Sequence, residues 1–297
     1  MTSEKQPPKT GYRLVKLPGG AHSVHSLAHG ETFHPVVGPT VEAESLYVRQ
    51  LRILERLANH VGEFVVWDVG LGAAANPLTL LRATRQLHCS IRILSFDHTL
   101  EPLQFALQHP EYLPYLKGYE ARLEQLIRHR RVMFEDGAQS VQWEVQEQDF
   151  PSLLVQPLAR TFPKPHAIMF DAFSPAKNPA MWTAPLFANL FELLDPLRPC
   201  ALPTYSRSTM LRVTLSLAGF FVGVGHATGE KEETTIAANS LQLIAEPLDR
   251  RWLERAKRSH SAEPMWEPVY RQAPLAPESW RRLQEHPQFA HGDSRKH

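Results

Sequence analysis

A short apolar run that ends in an acid and two closely spaced glycines constrains this chain more than any other stretch. Phe64-Val65-Val66-Trp67 leads into Asp68-Val69-Gly70-Leu71-Gly72-Ala73-Ala74-Ala75, and Asn76-Pro77 then opens a helical pattern through Leu78, Leu80 and Leu81. An apolar run bounded by turn residues reads as a buried strand, and proline is at home in the first turn of a helix. The glycines therefore stand between a strand and a helix N-terminus, where backbone can approach a ligand closely. The alternation continues downstream. Residues 91–96 form a second strand ending at Asp97, with helical stretches over 103–107 and 119–130. Trp143-Glu144-Val145 is a weaker strand ending near Asp149, and His166-Ala167-Ile168-Met169-Phe170 is the next. A helix through 186–194, a strand over 201–205 and a helix over 208–218 follow, and residues 220–224 and 242–245 make the last strand pair. Such alternation predicts an α/β fold of the Rossmann-like kind, a mostly parallel sheet with helices on both faces.

Upstream, residues 1–10 read as a frayed polar tail, and 12–16 with 24–27 flank Pro18-Gly19-Gly20 as a hairpin. Thr40-Val41-Glu42-Ala43-Glu44 is predicted to open a helix with Thr40 as its cap, its apolar face made by Leu46, Leu51, Ile53, Leu54 and Leu57. The expected division is an N-terminal extension over 1–60, a main domain over 61–247 and a peripheral extension over 248–297. His22, His25, His29 and His34 have no metal-ligand spacing and read as exposed or core histidines.

Charge narrows the partners. Lysine and arginine total 32 against 31 acids, a net charge of +1, so no global basic field points to nucleic acid. Local clusters remain at Arg128-His129-Arg130-Arg131, Arg250-Arg251, Arg255, Lys257-Arg258 and Arg281-Arg282, each of which also reads as a solvated helix face. Cys89 and Cys200 fit neither metal nor redox spacing, and no transmembrane run or signal-peptide core is present. The expectation is a soluble, cytoplasmic protein without disulfides, metal or membrane partner.

The chemistry gathers at strand ends. Asp171 closes the strand at Phe170 and opens the proline-stiffened turn Ala172-Phe173-Ser174-Pro175-Ala176-Lys177-Asn178-Pro179. It would present a carboxylate to a nitrogen nucleophile, or simply cap the helix near Pro179. Gly70-x-Gly72-x-x-Ala75 loosely fits a dinucleotide fingerprint. Asp68, placed beside that loop, would repel a pyrophosphate and suits the ammonium and sulfonium of S-adenosyl-L-methionine. Asp97 would accept both ribose hydroxyls and Asp149 the adenine amino group, or each is a strand-end cap.

These stretches resemble the methyltransferase domain of the MnmC-like tRNA enzymes, which methylate the 5-aminomethyl group of a wobble (2-thio)uridine. Residues 171–182 look like the family's Asp-x-Phe-x-Pro-x-Lys-Asn-Pro-x-Met-Trp signature, and 68–76 its (Glu/Asp)-x-Gly-x-Gly-x-Gly-x-Asn loop. Thr204-Tyr205, Arg212, Ala218-Gly219-Phe220, and Thr32-Phe33-His34 followed by Glu42-Ala43 are similar to further family segments. The resemblance implies a class I methyltransferase fold over roughly residues 30–240. It implies a cofactor site at Gly70, Gly72 and Asn76 with Asp68, Asp97, Asp149 and Glu42 around it, and Asp171 as the base. Phe173, Lys177, Asn178 and Tyr205 are the expected substrate contacts, with Phe173 and Tyr205 sandwiching the base and Lys177 meeting phosphate or covering the loop. The resemblance also implies tRNA as partner and a separate supplier of the primary amine, since the chain is too short for the fused flavin-dependent oxidase domain. Ala74 in place of the family's third glycine is expected to narrow the approach, and the acidic 229–233 segment stands where the family is more basic. A small-amine methyltransferase and a non-catalytic RNA- or protein-binding relative are the competing readings.

The acid pattern predicts micromolar-range binding of S-adenosylmethionine or its demethylated product, weakened strongly by Asp97→Ala. Calorimetric titration checks this, and clear binding of NAD or NADP in its place contradicts it.

Overall fold

A computed structural model describes residues 11–34, 36–228 and 232–290. The tail expected over residues 1–10, part of the acidic segment (229–231) and residues 291–297 lie outside the described residues. The chain opens with a three-stranded antiparallel meander of β1 (Tyr12–Lys16), β2 (His22–Ser26) and β3 (Glu31–Thr32). Its first register runs from Tyr12↔Ser26 to Lys16↔His22, which places the turn at Pro18-Gly19-Gly20 as expected.

Next come α1 (Pro39–Ala43), a π-helical run (Glu44–Arg49) and α2 (Ile53–Ala58). Thr40 is not the cap. Gly38 precedes the helix and Pro39 takes its first position, where the N–H that proline lacks would have had no helical partner. The single helix expected here is interrupted at Arg52, whose φ of 51° is left-handed. Leu46, Leu51, Ile53 and Leu57 are buried, whereas Leu54 is exposed. The π-helical run turns Tyr47 inward, and its hydroxyl donates to the carbonyl of Phe170 at 3.1 Å.

The main body runs β4 (Glu63–Val69), α3 (Ala75–Thr84), β5 (Ser90–Asp97), α4 (Glu101–Leu107), α5 (Glu120–His129), β6 (Arg131–Asp136), β7 (Gln139–Glu147) and α6 (Phe150–Leu154). It continues through β8 (Ala167–Phe170), α7 (Ala184–Glu192), β9 (Ala201–Thr204), α8 (Thr209–Leu217), β10 (Phe221–Gly225) and β11 (Thr234–Ala238). The strands form one eight-stranded sheet in the order β10-β11-β9-β8-β4-β5-β7-β6. β4, β5, β7, β8 and β9 are mutually parallel, while β6 and β11 run antiparallel to their neighbours. Along β4, Phe64 and Val66 enter the core on one face and Val65 and Trp67 the core on the other, so burial on both sides explains the unbroken apolar run. From β4 the chain builds outward first through β5, then in the other direction through β8. That reversal opens a crevice at the carboxyl ends of the strands, where open α/β sheets take their ligands.

Two strands depart from expectation. The partner of β10 is β11, not residues 242–245, where Leu241–Leu243 forms a 3₁₀ turn. β11 reads Thr-Thr-Ile-Ala-Ala, weakly apolar yet wholly buried, because strands flank it on both sides. β6 follows directly on α5 and exposes Arg131, Met133 and Glu135, as an edge strand does. The stretch expected to be peripheral holds α9 (Arg250–Lys257), α10 (Pro277–Gln284) and α11 (Pro287–Ala290). It sends Trp252, Leu253, Met265, Leu283 and Phe289 into the buried cluster that contains Trp67 and Phe187. This part is therefore core structure.

Replacing Tyr47 with phenylalanine removes the donor to a buried carbonyl. The expected cost is ~1–3 kcal/mol, read as a lower denaturation midpoint with an unchanged slope.

Candidate active site

The loop after β4 departs from ordinary backbone at three positions: Gly70 (φ 92°), Gly72 (φ 51°) and Ala74 (φ 63°). A Cβ on Gly70 would lie 2.6 Å from the carbonyl oxygen of Asp171, so only glycine lets the ends of β4 and β8 come this close. The Phe33 ring rests on Gly72, 3.1 Å from where a Cβ would stand. Ala74 is fully buried and does not line the cavity. Its departure from glycine costs backbone strain, roughly 1–2 kcal/mol.

Asp171 sits in a segment held by three aromatic donors. Tyr47 donates to the carbonyl of Phe170, Tyr205 to that of Ala172 at 3.0 Å, and the Trp182 indole to that of Phe173 at 2.7 Å. The Asp171 amide donates to Val69 at 2.9 Å. Its carboxylate Oδ2 accepts from the Asn76 amide at 2.8 Å and lies 3.4 Å from His34 Nε2. The other ring nitrogen of His34 is 3.6 Å from Glu42 Oε2, and the His34 side chain is only 8% exposed. Burial alone would lower the His34 pKa, but the two carboxylates outweigh it and lift it to about 9. Asp171 caps no helix: Asn178 precedes the 3₁₀ turn Pro179–Trp182, and Thr183 caps α7.

These groups face one cavity of about 460 Å³. Glu31, Glu42, Asp97, Asp149 and Asp171 line it, and among the described residues lining it there is neither lysine nor arginine. The Asn76 amide oxygen is buried at its wall without a hydrogen-bond partner among the described residues. Acceptors and acids of this kind suit a ligand carrying an ammonium and no phosphate. S-adenosyl-L-methionine fits these residues, with the glycine loop for close approach and Asp97 as a two-oxygen acceptor. Among the described residues no group of three or more His, Cys, Asp or Glu is placed to hold a metal ion.

Gly70, Gly72, Asn76, Asp97, Asp149, Glu42, Asp171, Phe173, Asn178 and Tyr205 all reach the cavity wall. Asp97 already accepts from the Gly72 amide at 3.0 Å and pairs with His98 at 3.2 Å. Asp149 combines two expectations, lining the cavity and capping α6 through the Ser152 amide at 3.0 Å. Asp68 does not face the ligand beside the loop. Strand parity turns it into the sheet interior, fully buried, where Oδ2 accepts from Ser95 at 2.7 Å. Burial raises its carboxyl pKa to about 7. Lys177 is exposed, outside the cavity, and lies over Gly30. One face of Phe173 is taken by His29, stacked at 4.1 Å, so Phe173 and Tyr205 do not form an open sandwich.

Sequence reasoning missed His29, Glu31 and His34. Glu31 accepts from the amide of Ser174 at 3.0 Å and from its hydroxyl, which ties the meander to the Asp171 loop. The Thr32-Phe33-His34 segment carried the available signal, but no local spacing says that it meets residues 171–178.

A family model of S-adenosyl-L-methionine-dependent methyltransferases matches residues 123–240. The tRNA 5-methylaminomethyl-2-thiouridine biosynthesis bifunctional protein MnmC of Methylibium petroleiphilum is 28% identical over 255 residues, 84% of this chain and 37% of that protein. Its namesake from Ectopseudomonas mendocina is 26% identical over 77% of this chain and 35% of that protein. The chain thus spans little more than a third of these curated relatives. Among solved structures, MNMC2 from Aquifex aeolicus superposes with a TM-score of 0.65 at 22% identity, over 94% of this chain and 84% of that one. Spermidine synthase from Thermotoga maritima gives 0.51 at 10% identity, over 95% and 86%. At these identities the structural likeness is one of fold. The methyltransferase fold expected from the sequence is borne out, and the family match over residues 123–240 agrees with the expected cofactor.

Asp68 carries a pH signature. Its raised pKa means the folded chain holds this proton more tightly than the unfolded chain, so stability falls as pH rises from ~4 to about 7. Asp68→Asn removes that fall, ~2–3 kcal/mol between pH ~5 and ~7. Urea denaturation of both proteins at the two pH values checks it.

Proposed function

We propose that this S-adenosyl-L-methionine-dependent methyltransferase acts on the 5-aminomethyl group of a wobble (2-thio)uridine in tRNA, in the cytoplasm, giving the 5-methylaminomethyl form. The observation that carries the reading is Asp171, rigidly held at the wall of an acid-lined cavity beside the glycine loop. The MnmC relatives are named for the biosynthesis of that nucleoside. An alkyl amine is protonated at neutral pH, its pKa near ~10.4 as in lysine. Asp171 attracts the ammonium, orients it and accepts its proton as general base. The bound cofactor supplies an electrophilic methyl group on sulfur. Aligned geometry contributes on the order of 7–11 kcal/mol in favourable cases.

Exposed arginines support an RNA contact. Arg207 follows Tyr205 closely, is exposed, and with exposed Arg255 lies near the buried Arg212. Other candidates are spent within the fold: Arg130 pairs with Glu147, and Arg281 with Glu278 and Glu285. Glu233 of the acidic segment pairs with Arg212 at 3.2 Å and so belongs to the structure. A small-amine substrate is the second reading, favoured by the five acids lining the cavity.

Single-turnover methyl transfer to an aminomethyluridine tRNA tests the assignment. Asp171→Asn is expected to keep cofactor affinity and lose ~10²–10⁴-fold in rate, the loss shrinking at high pH where more amine is neutral. Near-normal mutant rates at neutral pH sink the base assignment. Transfer to free amines but not to tRNA moves the small-amine reading to first place.

A further inference from the structure

We propose that β6 is a self-complementary edge through which two copies of this chain pair antiparallel, joining their sheets across a two-fold axis at Met133. The two edges of the sheet are treated differently. At β10, the Val222 amide donates to Gln288 Oε1 at 2.7 Å, and the Val222 carbonyl accepts from Gln288 Nε2 at 2.7 Å and from the Leu248 amide at 2.9 Å. The Val224 amide donates to Glu246 at 2.9 Å, so the chain itself covers that edge. β6 has no such cover among the described residues. It pairs in continuous register with β7 alone, and it carries neither a proline nor a bulge, two common means of blunting an edge.

Backbone parity fixes which groups the edge offers. The Val145 amide donates to the Arg130 carbonyl at 2.9 Å, so that carbonyl points at β7. Across the trans peptide the Arg131 N–H points away. Alternation along the strand then turns the N–H and C=O of Arg131, Met133 and Glu135 outward, and those of Val132 and Phe134 toward β7. An axis at Met133 sets Met133 opposite its own copy, each Arg131 opposite the other copy's Glu135, and each Val132 opposite the other copy's Phe134. Every outward group then meets another outward group. Opposite charges face each other on the exposed side of the strand. On the side toward α5, where Phe134 lies 5.5 Å from the Arg122 guanidinium, an aliphatic side chain faces an aromatic one. Cross-strand pairs of both kinds stabilise an antiparallel register. Met133, 63% exposed on the single edge, packs against its copy. An axis at Val132 or Phe134 also matches outward groups, but it puts one charge opposite Met133 and the other beyond the strand end. One register is therefore selected, and the contact is isologous and closes at two copies. No residue of β6 lines the cavity, so the pairing is independent of the methyltransferase chemistry.

One added strand pair makes a small interface, for which a weak, micromolar association is expected. Sedimentation of the intact chain is expected to move from one copy to two as concentration rises through that range. Arg131→Glu and Glu135→Arg each set like charges opposite at both ends of the contact, and each is expected to weaken association roughly tenfold. The two changes together rebuild the pairs and return association close to wild type. Met133→Pro removes an outward N–H without touching a bond to β7. It is expected to leave a single copy with unchanged circular dichroism. Amide exchange gives a second readout: the Arg131, Met133 and Glu135 amides are expected to exchange fast in the single copy and slowly in the pair. A chain that stays single throughout overturns the proposal. So does a dimer indifferent to Arg131→Glu, Glu135→Arg and Met133→Pro, or a double reversal that fails to restore pairing. Slow exchange of those amides in the single copy also overturns it, because another part of the chain then covers the edge.

Discussion

The carbonyls around Asp171 are each held by a side-chain hydrogen bond, and most of the site depends on that. Three aromatic side chains from three parts of the chain each donate a hydrogen bond to a carbonyl around it: Tyr47, Tyr205 and Trp182. Each brings a large apolar body for the core and one polar tip for the loop. Gly70 completes the clamp by leaving no side chain where the Asp171 carbonyl passes. A carboxylate that must point at a nitrogen lone pair gains from such anchoring, because misplacement by an ångström is costly in catalysis.

Electrostatics gives the second layer. Five acids line the cavity while the chain as a whole is almost neutral. The described lysines and arginines lie outside it, many paired on the surface or, as Arg212 is with Thr235, the Thr234 carbonyl and Glu233, buried behind β11. Among the described residues the cavity wall therefore favours a cation over a phosphate.

How much of this was legible in the sequence depends on what each residue had to declare. Buried parallel strands announce themselves, because both faces demand apolar side chains, and β4, β5, β8 and β9 were read that way. The glycine loop and Asp171 were legible because turn chemistry is local. β11 was not, since Thr-Thr-Ile-Ala-Ala owes its burial to neighbours on either side. Asp68 was placed at the right strand end but the wrong depth: parity gives the face of a residue, while the Ser95 hydroxyl beneath it is a tertiary fact. His34 was hidden for the same reason. A histidine in a loop shows nothing of two carboxylates, one of them just past the end of a distant strand.

The tie between Glu31 and Ser174 joins residues 143 positions apart. Contacts of that separation bear a large loop-closure entropy and form late in folding. The sheet can assemble around β4 and β8 before the meander settles on it, so a half-folded chain owns the glycine loop but only part of the cavity wall. Ligands that touch both sides therefore recognise only the finished molecule and stabilise it selectively. The reverse order applies under mild denaturing stress. The meander, joined to the body through Val24, Tyr12, Leu14 and Phe33 and the Glu31–Ser174 tie, is expected to loosen first, with affinity for small molecules falling while the sheet is still intact. Ligand affinity is thus a finer gauge of this protein's integrity than its secondary structure.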